Sequence, residues 1–589
     1  MLRQSLFVFF LLLTHGIFAQ TTYFVSLDGS DANDGLSPSS SWRTIRYAAS
    51  QNSPVTAGDT VYIKAGDYGK DDVYVEKNFS EGDARISFIG YQETPGDILS
   101  TNFKYGDTVD PHRMPLINPK DRETEAGIGL YDNYNITIKN IQLANSLTGI
   151  SIWNTSSQIS RHHLENVFIQ NIGHEYSTAL SIKEADGNII EHVLIVNATG
   201  AGMDIWGNGN LIEDAKVYSN ESEKTEDGTY TSMDYYIVLK GDRNVVKNCY
   251  IERVGNLEDV GHGMEIKESG EHNLFINCVA KNMVGGGFSV RWSKVRYNEF
   301  RNCTATGSLP DVCAFLIRDG ASYNVFNNCT SDGCPAGVRF LLSGEDADYC
   351  GTKNAFNNCI IKDASVVIDY NPWYYNSAPA DSTILANCVL VHSKKLVRSD
   401  RPNHGSKMIN CIVTQVDSFS TGDQPVLFDF SHCDFYDNGF VSPSGKNMVE
   451  GDPLFADWPA GDYHLTKGSP CIDAGTDLGA FPLDYEGTKR PQGMAFDIGA
   501  FEFKQSTATR ASDAARPLFY PNPVSDQLFV LNWRDFLWYE MVDLLGHKWK
   551  EGAISDGQIH LNSMASGFYT LRLKDRQGKW YRIGIIIKR

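Results

Sequence analysis

The feature of this sequence that most restricts its fold is a cysteine that recurs directly after an asparagine. Successive members are separated by roughly 23 to 30 residues, a period typical of repeat architectures. A cysteine at one fixed place in each repeat is expected to be a small buried residue that stacks on its neighbours, rather than a disulfide partner or a metal ligand. The cysteines of this series are Cys249, Cys278, Cys303, Cys329, Cys359, Cys388 and Cys411.

Aligned on these cysteines, the middle of the chain divides into coils of similar pattern. In one coil Gly263-Met-Glu-Ile-Lys267 precedes Asn273-Leu-Phe-Ile-Asn-Cys278. Such a coil predicts two or three short alternating strands separated by glycine and asparagine turns. One strand pair of this size cannot bury its apolar face, but stacked coils share one core. Repeated asparagines suit left-handed turns, and their stacked side chains can hydrogen-bond along the ladder.

This pattern predicts a right-handed parallel β-helix. A β-propeller needs repeats nearer about 40 residues, and a sandwich does not repeat so regularly. Three cysteines lie outside the register, namely Cys313, Cys334 and Cys350. These three could pair in an oxidising compartment, and the sequence does not say which of them do.

The two ends of the repeat region resemble secreted proteins of the pectate-lyase-like β-helix superfamily. The opening motifs are Tyr23-Phe-Val-Ser-Leu-Asp28-Gly-Ser-Asp31-Ala-Asn-Asp34-Gly, Trp42-Arg-Thr-Ile and Ala57-Gly-Asp-Thr-Val-Tyr-Ile. The closing motifs are Asp452-Pro-Leu-Phe, Gly468-Ser-Pro-Cys-Ile-Asp-Ala-Gly475 and Asp497-Ile-Gly-Ala-Phe-Glu502. The resemblance implies an N-terminal part and cap over residues 21–125 and a β-helix over 126–503. It specifies activity weakly, because lyases, glycosidases, epimerases and adhesins share this fold.

The chain termini predict export. Arg3, the apolar run Leu6–Leu13 and small residues near Ala19 have the pattern of a signal peptide over residues 1–20. No later apolar run approaches the ~20 residues of a spanning helix. Residues 504–516 are polar and predict a linker. Residues 517–589 contain Tyr520-Pro-Asn-Pro, Ser566-Gly-Phe-Tyr-Thr570 and a terminal Ile-Ile-Ile-Lys-Arg589.

These C-terminal motifs resemble the sorting domain of type IX secretion. The resemblance implies a small C-terminal β-sandwich, the type IX machinery as a partner, and a product that crosses a Gram-negative outer membrane to be secreted or attached to the cell surface. The whole chain is therefore expected to be all-β. A carbohydrate-binding sandwich is the alternative for this segment.

The formal net charge of -20 argues against a nucleic-acid partner, because such binding requires neutralised phosphates. It does not exclude a locally basic groove, since net charge bounds mainly solubility and non-specific association. The alignment predicts such a groove. One outward position of successive coils contains Trp153, Lys183, Trp206, Lys240, Lys267, Arg291 and Arg318.

A row of cations beside tryptophans suits an acidic sugar chain, because lysine and arginine bind carboxylate or sulfate. Two places earlier the same face contains Ser151, Ser181, Asp204, Val238, Glu265, Ser289 and Leu316. We therefore expect Lys183, Trp206, Lys240, Arg318 and Trp153 to bind substrate. An ordinary solvated charged face is the alternative.

The same row predicts β-elimination of a uronate. That reaction needs a base for the C5 proton and a positive group that neutralises the carboxylate. Lys267 and Arg291, on successive coils, resemble the lysine–arginine pair of the alginate and chondroitin B lyase family. Neighbouring cations can lower the pKa of such a lysine. Glu265 and His262 complete the candidate catalytic set, with His262 as a general acid or base.

The lyase resemblance also implies Ca²⁺, with Asp204, Glu265 and Asp259 as candidate ligands. The acids upstream of Lys267 are displaced from the spacing of that family. Two other functions remain open. Asp204 and Glu265 lie in one row two coils apart, so their backbones are separated by roughly 10 Å. This distance is near the upper end of the separation between the two catalytic carboxyl groups of an inverting glycosidase. A non-catalytic glycan-binding adhesin is the second alternative.

Overall fold

The structure of the chain is a computed structural model, and it describes two parts of the sequence. The first is residues 20–504, with gaps at 78–79, 100–101, 174–176, 221–222, 225–229, 232, 256–260, 343–349, 371–379, 401–402, 423 and 480–481. The second is residues 519–587, with gaps at 521–526, 531–535, 544–547, 555–557, 562–563, 565–566, 577 and 579. The predicted signal peptide and nearly all of the predicted linker therefore lie outside the described residues.

The first part is a right-handed parallel β-helix, as the repeat predicts. Each coil contributes in-register parallel strands to a first, a second and a third sheet. The strands of the first sheet are Thr22–Val25, Thr60–Lys64, Ile86–Tyr91, Leu211–Glu213, Val245–Lys247, Leu274–Ile276, Glu299–Arg301, Val325–Asn327, Ala355–Asn357, Ile384–Ala386, Ser406–Ile409 and Phe428–Ser431. Those of the second are Gly66–Asp67, Pro115–Ile117, Lys216–Ser219, Tyr250–Arg253, Val279–Lys281, Thr304–Thr306, Thr330–Asp332, Ile360–Lys362 and Asp434–Tyr436.

The third sheet carries the predicted cationic row. Its strands are Val73–Val75, Ile128–Tyr131, Ile150–Ile159, Thr178–Asp186, Ala201–Ile205, Tyr235–Leu239, His262–Ile266, Phe288–Arg291, Cys313–Arg318, Ala336–Leu341 and Val366–Tyr370. Long strands turn from the first sheet into the second at Ile136–Ser146, His163–Ile172 and Ile189–Ala198. Others turn from the second into the third at Val389–Ser399 and Ile412–Thr421.

Smaller elements complete this part of the chain. A short fourth parallel ladder comprises Ala321–Ser322, Gly351–Thr352, Ala380–Asp381 and Asn403–His404. Antiparallel pairs join Glu223–Lys224 to Tyr230–Thr231 and Phe455–Asp457 to Asp462–Leu465. The helical segments are Pro38–Ser40, Ile45–Ala49 and Trp458–Ala460.

Like residues stack on one another inside the β-helix because neighbouring strands are in register and only about 4.8 Å apart. The rings of Phe275, Phe300, Phe326 and Phe356 stack with centroid separations of 4.8, 4.7 and 4.5 Å. The repeated cysteines form a second internal stack, which Cys433 extends by one coil. All 12 cysteines are buried and none forms a disulfide, so Cys313, Cys334 and Cys350 are not paired in this structure.

The asparagines have two distinct structural roles. Those that precede the repeated cysteines adopt left-handed backbone conformations, as at Asn277 with φ 54° and Asn302 with φ 54°, and turn the chain from the first sheet into the second. A second set is buried at the start of the first-sheet strands. There the side-chain amide of Asn273 donates to Asn298 at 3.1 Å, and that of Asn298 to Asn324 at 2.9 Å. Both predicted roles of asparagine are confirmed.

Each end of the β-helix is protected differently. At the N-terminal end the short helix Ile45–Ala49 buries Ile45, Ala48 and Ala49, and Trp42 is fully buried against Tyr23 with ring centroids 4.8 Å apart. At the C-terminal end isolated bridges pair Ser431 with Lys446 and Asp434 with Val449, and the half-buried Phe440 packs against the core. Such coverage satisfies terminal strands that would otherwise present unpaired backbone groups.

The second compact unit spans residues 505–589, and its described strands form two antiparallel sheets. One contains Phe519–Tyr520, Gln527–Val530 and Gln558–His560. The other contains Lys548–Ala553, Phe536–Asp543, Gly567–Asp575 and Trp580–Ile587. Leu528 and Ile559 of one sheet share an apolar core with Met541 and Leu571 of the other. The predicted all-β class with a small C-terminal sandwich is confirmed.

No helix in the described parts of the chain is long and apolar enough to cross a membrane.

Candidate functional site

The outward face of the third sheet carries two parallel rows of side chains, and strand register defines both. Trp153 pairs with Lys183, and Arg291 pairs with Arg318. Between them the backbone amides of Trp206, Lys240 and Lys267 each bond to the preceding coil. In the adjacent row the partners run Ser151, Ser181, Asp204, Val238, Glu265, Ser289 and Leu316. The structure thus brings the candidate site residues onto one face of successive coils.

Exposure decreases along this face from the N-terminal coils to the C-terminal ones. Trp153 is 48% exposed and Trp206 is 40% exposed, and Lys183 is exposed as well. Lys240, Lys267 and Arg291 are half-buried. Arg318 is only 8% exposed, so it is less accessible to a ligand than the other cations of the row.

Lys267 occupies the middle of the row and forms no ion pair with any described carboxylate. Its Nζ lies 4.0 Å from the centroid of Tyr235 and 5.8 Å from that of Trp292. Burial lowers the pKa of Lys267, and the charges of Lys240 and Arg291 lower it further. Glu265 opposes this effect but does not outweigh it. The charged form of Lys267 is therefore less favoured than that of an ordinary lysine, which suits a proton acceptor.

His262, Glu265 and Ser289 form a buried polar group beside Lys267. Glu265 is inaccessible to solvent; its Oε2 lies 3.1 Å from His262 Nδ1 and accepts a hydrogen bond from Ser289 Oγ at 2.7 Å. Burial would raise the pKa of Glu265, but the charge of His262, together with Arg318 and Ser289, lowers it to about 2. Burial opposes protonation of His262, yet Glu265 raises the pKa of the imidazole above its usual value. Both shifts favour the imidazolium–carboxylate form of the pair.

Tyr235 links this pair to the lysine, and the sequence interpretation did not identify it. Its ring stacks on His262 with a centroid separation of 4.9 Å and an interplanar angle of 14°. The same ring lies against Lys267 Nζ. Strand register is the feature that could have identified it, since Tyr235 is the strand partner of His262.

Lys240 differs from Lys267 because it has a carboxylate partner. Its Nζ lies 2.9 Å from Asp204 Oδ1, and both side chains are largely buried. Trp206 Nε1 donates to Asp204 Oδ2 at 3.1 Å, and Lys240 Nζ lies 4.2 Å from the Trp206 ring. Asp204 therefore forms an ion pair with Lys240 and holds the indole of Trp206 in place.

The two arginines share one buried carboxylate. Asp319 accepts from Arg291 Nε at 3.0 Å and from Arg318 Nε at 3.2 Å. Among the described residues the Nη groups of Arg291 make no hydrogen bond, so they remain available to a ligand. The Trp292 ring packs on the Arg291 guanidinium, with its centroid 4.9 Å from Cζ. The backbone of Trp292 has φ 83°, a conformation that is rare for a bulky residue. Their positions in the sequence could have identified both residues, because Asp319 directly follows Arg318 and Trp292 directly follows Arg291.

The described residues do not assemble the expected calcium ligands. Asp204 is engaged by Lys240 and Trp206, and Glu265 by His262 and Ser289. The coil of Val238 separates the two acids, and Asp259 lies outside the described residues. Within the part of the chain that the structure describes, the one group with metal-ligand geometry is His163, Glu165 and Glu191 on the first sheet. Lys139 already binds Glu165 at 2.7 Å there.

Comparison with known families agrees with this architecture. Residues 126–309 match the family described as the right-handed β-helix region, and residues 518–588 match the secretion-system C-terminal sorting domain. The chain is a right-handed parallel β-helix protein with a type IX sorting domain. Because that domain directs type IX export, this β-helix protein is secreted or displayed at the cell surface.

The solved structures to which this chain is similar include two lyases and a glucanase. Pectate lyase Pel9A is 14% identical over 83% of this chain and 97% of that chain, with a TM-score of 0.34. The catalytic domain of a GH87 α-1,3-glucanase is 12% identical over 70% of this chain and 68% of that chain, with a TM-score of 0.42. An alginate lyase from Paenibacillus is 13% identical over 60% of this chain and 92% of that chain, with a TM-score of 0.30. No curated protein matches this β-helix protein in sequence.

Proposed function

We propose that this β-helix protein is an extracellular polysaccharide lyase that cleaves an acidic, uronate-containing glycan by β-elimination on the third sheet. The observation that carries the proposal is Lys267, a half-buried lysine without a described ion-pair partner, whose pKa is lowered by burial and by Lys240 and Arg291. A base must be neutral to accept a proton, and this environment favours the neutral amine.

In the proposed reaction Lys267 Nζ removes the C5 proton of a uronate. The electron pair forms the C4–C5 double bond, the C4–O glycosidic bond breaks, and the leaving oxygen takes a proton. The free Nη groups of Arg291 are suited to neutralise the substrate carboxylate, which makes the enolate-like intermediate tolerable. Asp319 fixes Arg291 for this role because it holds Nε at 3.0 Å.

The proton for the leaving oxygen is assigned to His262. Glu265 raises the pKa of this imidazole and so favours its protonated form, and both His262 and Lys267 contact the ring of Tyr235. A lysine whose charged form is disfavoured and a histidine whose charged form is favoured, both against one ring, are suited to be the base and the acid that elimination requires. No step in this scheme uses a metal ion.

An inverting glycosidase fits these residues less well. Such an enzyme needs one carboxyl group with a raised pKa as the acid. The pKa of Glu265 is instead lowered to about 2, and Asp204 is paired with Lys240 at 2.9 Å. A purely adhesive surface would not require an unpaired lysine of lowered pKa beside a buried histidine–glutamate pair.

The test is to incubate the full chain with alginate, pectate, chondroitin and dermatan and to record near-ultraviolet absorbance of the unsaturated uronate. We expect absorbance to rise on one of these glycans, and Lys267→Met to lower kcat/KM at least about a hundredfold, the size of a lost general base. Lys407→Met is the matched control, since Lys407 is exposed on the first sheet. Full activity of Lys267→Met would refute the assignment of the base.

A further inference from the structure

A histidine and two glutamates converge on the outward face of the first sheet, which is a different sheet from that of Lys267. His163 and Glu165 lie two residues apart on the strand His163–Ile172, so their side chains point to the same face. Glu191 is the strand partner of Glu165 in the next coil. One imidazole nitrogen and two carboxylate oxygens of this group all lie within 4.8 Å of one another.

Glu191 is the middle one of three glutamates that are stacked in strand register. The residues of this row are Lys139, Glu165, Glu191, Glu213 and Lys247. The two lysines bind the outer glutamates, with Lys139 on Glu165 at 2.7 Å and Lys247 on Glu213 at 2.6 Å. Like charges opposite each other on neighbouring strands are destabilising. Three carboxylates against two ammonium groups therefore favour a cation near Glu191.

Carboxylates on the second sheet show that this imbalance is local. Glu252 has Lys281 as its strand partner and forms an ion pair with it at 2.7 Å. Asp332 has Lys362 as its strand partner, at 3.1 Å. Glu191 has glutamates as strand partners on both sides instead, so strand register gives it no basic neighbour.

His163 supplies an imidazole, which distinguishes the group from an acidic patch. Its Nε2 lies 2.8 Å from Glu191 Oε1. Two ligand atoms that bind one tetrahedral ion at about 2.1 Å are about 3.4 Å apart, so small side-chain rotations are enough to hold an ion. Lys139 binds Oε1 of Glu165, which leaves Oε2 for the ion. The three side chains are 17 to 23% exposed, so an ion can enter and a water can complete its coordination.

We infer that His163, Glu165 and Glu191 form a Zn²⁺ site that joins two successive coils of the β-helix. One imidazole and two carboxylates match the ligand preference of Zn²⁺, whereas Ca²⁺ takes about six to eight oxygen ligands. The ion offsets both carboxylates at once and links the strand His163–Ile172 to the strand Ile189–Ala198. Because it binds the folded coils, it stabilises them by mass action. This site does not depend on the proposed function.

The experiment is isothermal titration of the metal-free full chain with ZnCl₂ at neutral pH. The wild type should bind Zn²⁺ saturably, and His163→Ala should weaken binding at least about a hundredfold, since loss of even a hydrogen-bond partner of a ligand costs about 10–100-fold. His192→Asn is the matched control. His192 directly follows Glu191 but lies 3.7 Å from Asp214, outside the group, and asparagine tolerates its φ of 56°.

Two further measurements make the test specific. Lys139→Met should tighten Zn²⁺ binding severalfold, because the ammonium no longer competes for Glu165. Zn²⁺ should also raise the unfolding temperature of the wild type and of His192→Asn, but not that of His163→Ala. These results support the site. No saturable binding of Zn²⁺ to the wild type, wild-type affinity in His163→Ala, or binding of CaCl₂ as tight as that of ZnCl₂ would overturn it.

Discussion

Replacement of Glu265 by glutamine tests the electrostatic organisation of the site. The side chain is fully buried, lies 3.1 Å from His262 and accepts a hydrogen bond from Ser289 at 2.7 Å. Its pKa of about 2, against an ordinary 4.5, corresponds to about 3 kcal/mol of stability at neutral pH. The cost of removing one partner of a buried ion pair is similar, about 3–5 kcal/mol.

The pH dependence follows from the direction of this shift. A lowered carboxyl pKa contributes stability above the ordinary value, and that stability is lost as the pH falls from about 4.5 toward about 2. The difference between wild type and Glu265→Gln should therefore be full at neutral pH and decrease in acid.

Hydrogen exchange of the strand His262–Ile266 measures this cost locally, which suits a repeat protein whose coils can open separately. About 3 kcal/mol corresponds to amide exchange about a hundredfold faster in Glu265→Gln. Glu271→Gln is the control, because Glu271 forms a more exposed pair with Arg296, whose loss should cost less than about 1 kcal/mol. Exchange at the wild-type rate in Glu265→Gln at neutral pH would refute the reasoning.

Three further predictions concern the base, the ladder and the core. The rate of cleavage should rise with pH as Lys267 loses its proton, at a pH below the ordinary lysine pKa of about 10.4 because burial lowers the pKa of Lys267, and it should fall again as His262, the proposed acid, loses its proton; a rate that does not change with pH would contradict the proposed base and acid. Asn298→Ala should destabilise the central coils by about 2–3 kcal/mol in chemical denaturation, since the buried amide donates to Gly270 at 3.0 Å and to Asn324 at 2.9 Å; an unchanged midpoint would contradict it. A thiol reagent should modify none of the 12 buried cysteines in the native protein and all of them after unfolding, and fewer reactive thiols in the unfolded protein would indicate disulfides.

Much of the fold could be predicted from the sequence because a β-helix repeats its local rules. Asparagine adopts the left-handed conformation at low cost, so its position marked most corners between the first and second sheets, although His192, Asp214 and His432 occupy three of them. Cysteine fits where identical small residues stack, and its position marked the core. The same alignment related Lys267 to Arg291 on successive coils, since in-register strands preserve row positions.

The partners of the row residues could not be predicted in the same way. A row position indicates the side of the sheet on which a side chain lies, but not which neighbour its charge contacts. The pairing of Lys240 with Asp204, and of Arg291 with Asp319, depends on side-chain conformations and on turns that follow the strands. Tyr235 was missed because an aromatic residue in a strand is most often part of a core.

The most direct test of the proposed function is the chemistry of the new chain ends. Mass spectrometry of products from the best-cleaved acidic glycan should detect an unsaturated uronate at each new non-reducing end, formed by wild type and by Lys407→Met but not by Lys267→Met. New reducing ends without unsaturation would indicate hydrolysis and contradict β-elimination by Lys267.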